Sequence, residues 1–221
     1  MNTYVVDIGT EINRKKKENF AWISENGKSG NRLSTLKDSI QHDLKLNTQI
    51  SIGFESPLFF DIFDENVNQQ RLVDGGKPWS ASAGATATVT GLTQIFWLFN
   101  ALSNETNELQ IEILKDFTSI KKGVNIYVWE AFVSGNAKIK SEKRSSHIED
   151  CKTALAHFQK MFRSNEKSSY DPNGVECVSL IGALLLRINK NLDPQVLNYR
   201  PIVVKPDKPY TKYENFHWVK K

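Results

Sequence analysis

Three short apolar runs in this chain each end in a carboxylate: Tyr4-Val5-Val6-Asp7, Ile50-Ser51-Ile52-Gly53-Phe54-Glu55 and Ile126-Tyr127-Val128-Trp129-Glu130. Runs of β-branched and aromatic residues of this length read as buried strands. An acid that closes such a run must reach solvent, find a partner or serve a site, because an unpaired buried carboxylate is costly. The recurrence therefore asks for a sheet whose strand ends gather acids.

Between these runs the period changes. Leu36, Ile40 and Leu44 recur at four-residue steps behind a Ser34 or Thr35 cap, which predicts an amphipathic helix ending near Asn47. Phe20-Ala21-Trp22-Ile23, a turn at Asn26-Gly27 and a second stretch to Leu33 suit antiparallel strands. Leu92, Ile95, Phe96, Leu98 and Phe99 define an apolar helix, and the small residues from Ala81 to Thr90 before it allow close approach to a sheet. His147 to Phe162 reads as another helix and Val175 to Ile188 as a last one, with Glu176 in its first turn. Tyr199 to Val204 reads as an edge strand because Pro201 lacks a donor. Phe59 to Gly84, rich in Asp, Asn, Gly and Ser, reads as a long substrate-facing insertion.

A chain of 221 residues suffices for one sizeable domain. The order of elements suggests a single RNase H-like α/β domain over residues 1–221: antiparallel opening strands, then parallel strands, flanked by helices. It carries the insertion around 59–84 and a C-terminal extension from about 190. Cys151 and Cys177 form no C-x-x-C pair, so disulfide frameworks and structural zinc are set aside and reduced, cytoplasmic thiols are expected. Asp7 interrupts the first apolar run, so no signal peptide is expected there. The stretches Ile95 to Phe99 and Leu180 to Ile188 are too short to span a bilayer, and no membrane partner is expected. A formal charge of +4 permits a polyanionic partner without demanding one.

The chemistry rests on Asp7, Glu55, Glu130 and Glu176. Carboxylates that converge at strand ends and a helix start repel one another, and divalent cations relieve that repulsion. Mg²⁺ or Mn²⁺ suits oxygen ligands, with Asp7, Glu55 and Glu176 as the metal set and Glu130 as a further candidate. Two ions about 4 Å apart activate a water and stabilise a leaving oxygen in phosphodiester hydrolysis. An acid in the first turn of a helix is also explained by the dipole, so Glu176 has a second account. His147 and Asp150, at a predicted helix start, read as capping or surface groups, and Cys151 and Cys177 as core.

These residues resemble the RNase H-like superfamily and, within it, a family of uncharacterised proteins predicted to be RuvC-like nucleases. The likeness lies in Asp7, Glu55-Ser56-Pro57-Leu58, Arg71 with Asp74, Glu130-Ala131-Phe132 and Glu176-Cys177, spread over residues 4 to 188. The chain departs from the family pattern at Glu55, where Asp is frequent, and at Val133, where proline is common. The resemblance implies a metal-dependent nuclease acting on DNA or RNA. Arg71 and Lys77 are the candidate substrate contacts, through a phosphate. Arg14 to Lys17, Lys138 to Arg144, Lys205, Lys208 and Lys212 are candidates for backbone phosphates, and Trp22, Trp79 or Tyr170 for stacking on bases.

Two other classes stay open. Val5-Val6-Asp7-Ile8-Gly9-Thr10 also matches the first phosphate motif of actin-like ATPases and sugar kinases, although neither a duplicated domain nor a second glycine-rich phosphate loop is evident. A non-catalytic nucleic-acid-binding module of the same fold is the other. Asp74-Gly75-Gly76-Lys77-Pro78 lacks the spacing and the Ser or Thr of a P-loop, and Ser80-Ala81-Ser82-Ala83-Gly84 lacks the leading glycine of a nucleophile elbow.

Overall fold

The computed structural model describes residues 1–9, 19–62, 71–74, 83–106, 108–138, 145–172 and 174–209. Arg14 to Lys17, Lys77, Trp79, Lys140, Lys143, Arg144 and Lys212 lie outside the described residues. In chain order the elements are β1 (Asn2–Asp7), β2 (Ala21–Ser24), β3 (Ser29–Gly30), α1 (Leu33–Lys45), β4 (Ile50–Glu55), β5 (Phe59–Ile62), α2 (Ala83–Glu105), β6 (Ile111–Ile113), β7 (Ile126–Ala131), α3 (Ser145–Ser164), β8 (Glu176–Ser179), α4 (Leu180–Ile188) and β9 (Val203–Val204).

The main sheet has the order β3-β2-β1-β4-β7-β6. Antiparallel β2 and β3 need only a tight turn, which Gly27 closes at φ +85°. β1, β4 and β7 run parallel, and parallel neighbours need long crossovers, which α1 and α2 lie within. β6 borders the first half of β7, and β9 continues the same edge beside Glu130 and Ala131. The fold is α/β with a mixed sheet, antiparallel at its opening and parallel through its centre, as the order of runs predicts.

Period-two alternation divides the strands between two cores. Tyr4, Val6, Ile50, Ile52, Phe54, Ile126 and Val128 pack with Leu36 and Ile40 of α1, Ile95 and Phe99 of α2 and Ile181 of α4. Val5, Tyr127, Trp129 and Ala131 face the other way, onto Cys151, Leu155 and Phe158 of α3. On that side Trp129 stacks on Phe158 at 4.4 Å and donates to Ser51 Oγ at 2.9 Å. Its ring fills the space that a Cβ at Gly53 would need. Gly53→Ala is therefore expected to destabilise the protein by about 1–3 kcal/mol, as overpacked cores do, read as a lower urea midpoint at unchanged slope.

Several local expectations change. α1 starts behind Arg32 without a side-chain cap, and Thr35 instead donates to the Arg32 carbonyl at 2.8 Å and accepts from Trp22 Nε1 at 3.2 Å, tying the helix to β2. The small residues from Ala83 onward are themselves helical, and β6 was not anticipated. Phe59–Ile62, read as loop, is a strand because β8 pairs with it antiparallel, Ile62 opposite Glu176 and Phe59 opposite Ser179. The predicted helix from Val175 to Ile188 thus divides. Cys177 and Ser179 are buried and alternate with exposed Glu176, which is strand spacing, and α4 begins only behind Ser179, whose Oγ accepts from the Gly182 amide at 3.1 Å.

Candidate active site

Strand parity decides which acids meet. Asp7 lies two residues beyond Val5 and Glu55 two beyond Gly53, so both project from the sheet face that α3 covers. Parallel register then sets Asp7 directly opposite Glu55 on the neighbouring strand. Glu130 lies two residues beyond Val128 and projects from the other face. On that other side, Gly91 of α2 takes the place where a Cβ would strike the Ser56 side chain, so the helix lies close against the exit of β4.

α3 adds the remaining groups. The His147 Nδ1–H donates to Asp7 Oδ2 at 2.5 Å. Asp150, one helical turn further on and on the same face as His147, is buried. Lys138, just after the short turn Gly135–Ala137, brings its Nζ to 3.6 Å from Glu55 Oε1 and 3.9 Å from Asp150 Oδ2. Three carboxylates, one imidazole and one ammonium thus share the C-terminal end of the parallel strands, the usual place for sites in α/β sheets.

The charges are unevenly matched. Burial and the Asp7 carboxylate beside it hold the Glu55 carboxyl well above its usual range, with Asp150 adding to the effect and Lys138 opposing it. The hydrogen bond to Asp7 raises the His147 imidazole against its burial. Burial works against the Lys138 charge, but Glu55, Asp7 and Asp150 outweigh it and raise that group too. Burial, then Asp7 and Glu55, push the Cys151 thiol far up, so it remains a neutral core group that donates to the Ala21 carbonyl at 3.7 Å rather than a nucleophile.

A pH dependence follows. Glu55 and His147 both bind protons more tightly in the folded state than at their ordinary values of 4.5 and 6.5. Their stabilising contribution is complete below those values and is lost as pH rises through the raised ones. Without added cations, the urea midpoint is expected to fall as pH rises above the ordinary values of 4.5 and 6.5, and less steeply in Glu55→Gln. An equal slope in the two proteins would count against the coupling of Glu55 to Asp7.

The other predicted site residues lie elsewhere. Arg71 and Glu130 are both 0% exposed and meet at 2.8 Å through Nη1 and Oε2. Arg71 also donates to both Asp74 oxygens, from Nε at 3.0 Å and Nη2 at 2.8 Å, while the Leu58 amide donates to Glu130 Oε2 at 3.0 Å. A fully enclosed guanidinium has no surface to offer a phosphate, so the expectation that Arg71 binds substrate is replaced by a role in the core. Burial raises the Glu130 carboxyl despite Arg71 beside it. Glu176 stands exposed on the second sheet, opposite Ile62, and is not grouped with Asp7 and Glu55. Lys77 lies outside the described residues. Trp22 and Tyr170 are buried, and the Tyr170 hydroxyl donates to Asp61 Oδ2 at 2.5 Å, so neither presents a stacking face.

Sequence reasoning assigns His147 and Asp150 to capping or the surface, whereas the structure brings both to Asp7 and Glu55. Their signal was available: Asp150 stands four residues before Ala154 and eight before Phe158, in line with the buried stripe of α3. An acid on that stripe needs a partner or a task.

Among the described residues, no three His, Cys, Asp or Glu side chains are arranged as they stand to grip a metal. Among the described residues, the Lys138 ammonium stands 3.6 Å from Glu55 and 3.9 Å from Asp150. No helix among the described residues is long and apolar enough to cross a membrane. No protein-family model matches the chain, and no curated protein or solved structure matches it.

Proposed function

We propose that this chain is an RNase H-like, metal-dependent nuclease that hydrolyses nucleic-acid phosphodiester bonds, with Asp7, Glu55, Asp150 and His147 as its working set. The observation that carries the reading is the pairing of Asp7 with Glu55 on adjacent parallel strands, beside buried Asp150. Burial and the neighbouring Asp7 carboxylate push the Glu55 carboxyl above its usual range, a repulsion that a divalent cation would relieve. Carboxylate oxygens suit Mg²⁺ and Mn²⁺, so the donor set fits either ion. His147 and Asp150 belong to this set, while Glu130 is paired with Arg71 and Glu176 stands on the second sheet.

Asp7, Glu55 and Asp150 would hold the metal, which when bound polarises a phosphoryl oxygen and lowers the pKa of a bound water. Parallel register sets the Asp7 and Glu55 backbones side by side at two strand ends, so both carboxylates start from fixed neighbouring anchor points. Asp7 holds the proton on His147 Nδ1 and so orients the ring, leaving Nε2 as the atom that exchanges a proton with a leaving oxygen or water. Lys140, Lys143 and Arg144 follow Lys138 in the sequence and supply charge for backbone phosphates without base specificity.

The test is cleavage of labelled single-stranded, duplex and branched DNA and RNA with Mn²⁺, Mg²⁺ or EDTA, with ATP binding measured in parallel. Cleavage of at least one substrate that EDTA abolishes is expected. Absence of cleavage together with no cation-dependent change in melting temperature would overturn the reading. ATP binding would then favour the kinase-like alternative, and metal-independent nucleic-acid binding a non-catalytic module.

A further inference from the structure

We infer that Lys138 is a tethered counter-ion: its ammonium neutralises the Glu55–Asp150 side of the cluster in the metal-free protein and withdraws when a divalent cation enters. The inference rests on the metal-dependent reading above and adds to it what controls the affinity of the site.

Among the described residues, Arg71 lies against Glu130 and Asp74 while Lys138 lies against Glu55 and Asp150, and the two geometries differ. At Glu130 and Asp74 the cation is an arginine, 0% exposed, with contacts of 2.8–3.0 Å to both carboxylates. That is the planar, bidentate geometry of a permanent pair. At Glu55 and Asp150 the cation is a lysine, 49% exposed, at 3.6 and 3.9 Å. These separations exceed those of charge-assisted hydrogen bonds, about 2.7–2.9 Å, so Coulomb attraction holds the ammonium without directional bonds.

The mobile partner is also identifiable. Asp7 and Glu55 are held by strand register and Asp150 is enclosed under α3, whereas Lys138 follows a single short turn and carries a flexible four-carbon stem. A divalent ion placed among these oxygens with the ammonium still present would have a like charge a few ångströms away. Lys138 therefore leaves, and its departure lowers the apparent metal affinity. The site keeps a partial counter-charge when no metal is present and binds metal less tightly than its carboxylates alone would.

The test compares wild type with Lys138→Met, Lys138→Arg and Asp7→Asn. Mn²⁺ affinity is measured by calorimetry and by the electron paramagnetic resonance of free Mn²⁺ at fixed ionic strength, and melting temperature is measured in EDTA and in saturating Mn²⁺. Lys138→Met is expected to bind Mn²⁺ about ten-fold more tightly, the scale of removing a partly screened like charge. It should also melt lower than wild type in EDTA and gain more from Mn²⁺. Lys138→Arg should keep the wild-type affinity or weaken it. Equal or weaker Mn²⁺ binding by Lys138→Met, alongside Asp7-dependent binding in wild type, would overturn the counter-ion and leave the metal reading standing. No Asp7-dependent Mn²⁺ binding in any of these proteins would overturn both.

Discussion

Asp7→Asn is expected to reduce cation-dependent cleavage by about 10³-fold or more, the rate equivalent of the several kcal/mol that a bound metal contributes to a phosphoryl transition state. The substitution keeps the shape of the side chain and removes one charge from a cluster already in electrostatic excess, so the folded protein should survive it. Glu55→Gln and Asp150→Asn should fall in the same class. His147→Ala should lose about 10²-fold, as expected for a residue that moves or orients a proton. Glu176→Gln, on an exposed strand of the second sheet, should cleave at the wild-type rate. The measurement is single-turnover cleavage with Mn²⁺, with circular dichroism to establish folding. A wild-type rate in folded Asp7→Asn would exclude it from the chemistry, and loss of activity in Glu176→Gln would restore that residue to the site.

The second large effect concerns stability. Arg71→Met should cost about 3–5 kcal/mol, the range for removing one partner of a buried ion pair, because Glu130 would be left enclosed without its counter-ion. Much of that cost should disappear in Arg71→Met/Glu130→Leu, where the cavity becomes apolar, although the Leu58 amide and Asp74 then lose a partner. Urea unfolding of both single variants and the double variant gives the coupling directly. Additive losses would show that the pair is not the unit supporting this part of the fold.

The contrast between Asp7 and Glu130 also explains what a reader of the sequence can and cannot see. All three acid-ended runs were legible as strands, and the order of runs was sufficient for a mixed sheet. Parity shows which residues of its own strand share a face with each acid, but which faces of different strands coincide needs the register between strands. What could not be read was the covering element. Whether α3 or α1, α2 and α4 lies on a given face is a matter of topology, and without it Glu130 looked equivalent to Glu55. β8 failed for another reason. In Glu176–Ser179 only Val178 is a strong strand former, and it is antiparallel pairing with Phe59–Ile62 that makes the segment a strand. His147 and Asp150 read as capping or surface groups because polar residues at a helix start usually have a local explanation, and the buried stripe that Asp150 joins is visible only when positions 150, 154 and 158 are taken together.

The parity of β4 has a consequence for how this protein tolerates change. Ile50, Ile52 and Phe54 belong to one core while Ser51, Gly53 and Glu55 look toward α3. Deleting or inserting one residue within this six-residue strand would exchange the two sets, driving Glu55 into an apolar layer and Phe54 toward Asp7. Point substitutions at most positions of β4 degrade packing by degrees, whereas a single-codon length change would remove the proposed chemistry and the core together. Length variation in related sequences should therefore accumulate between the strands and be absent within β4.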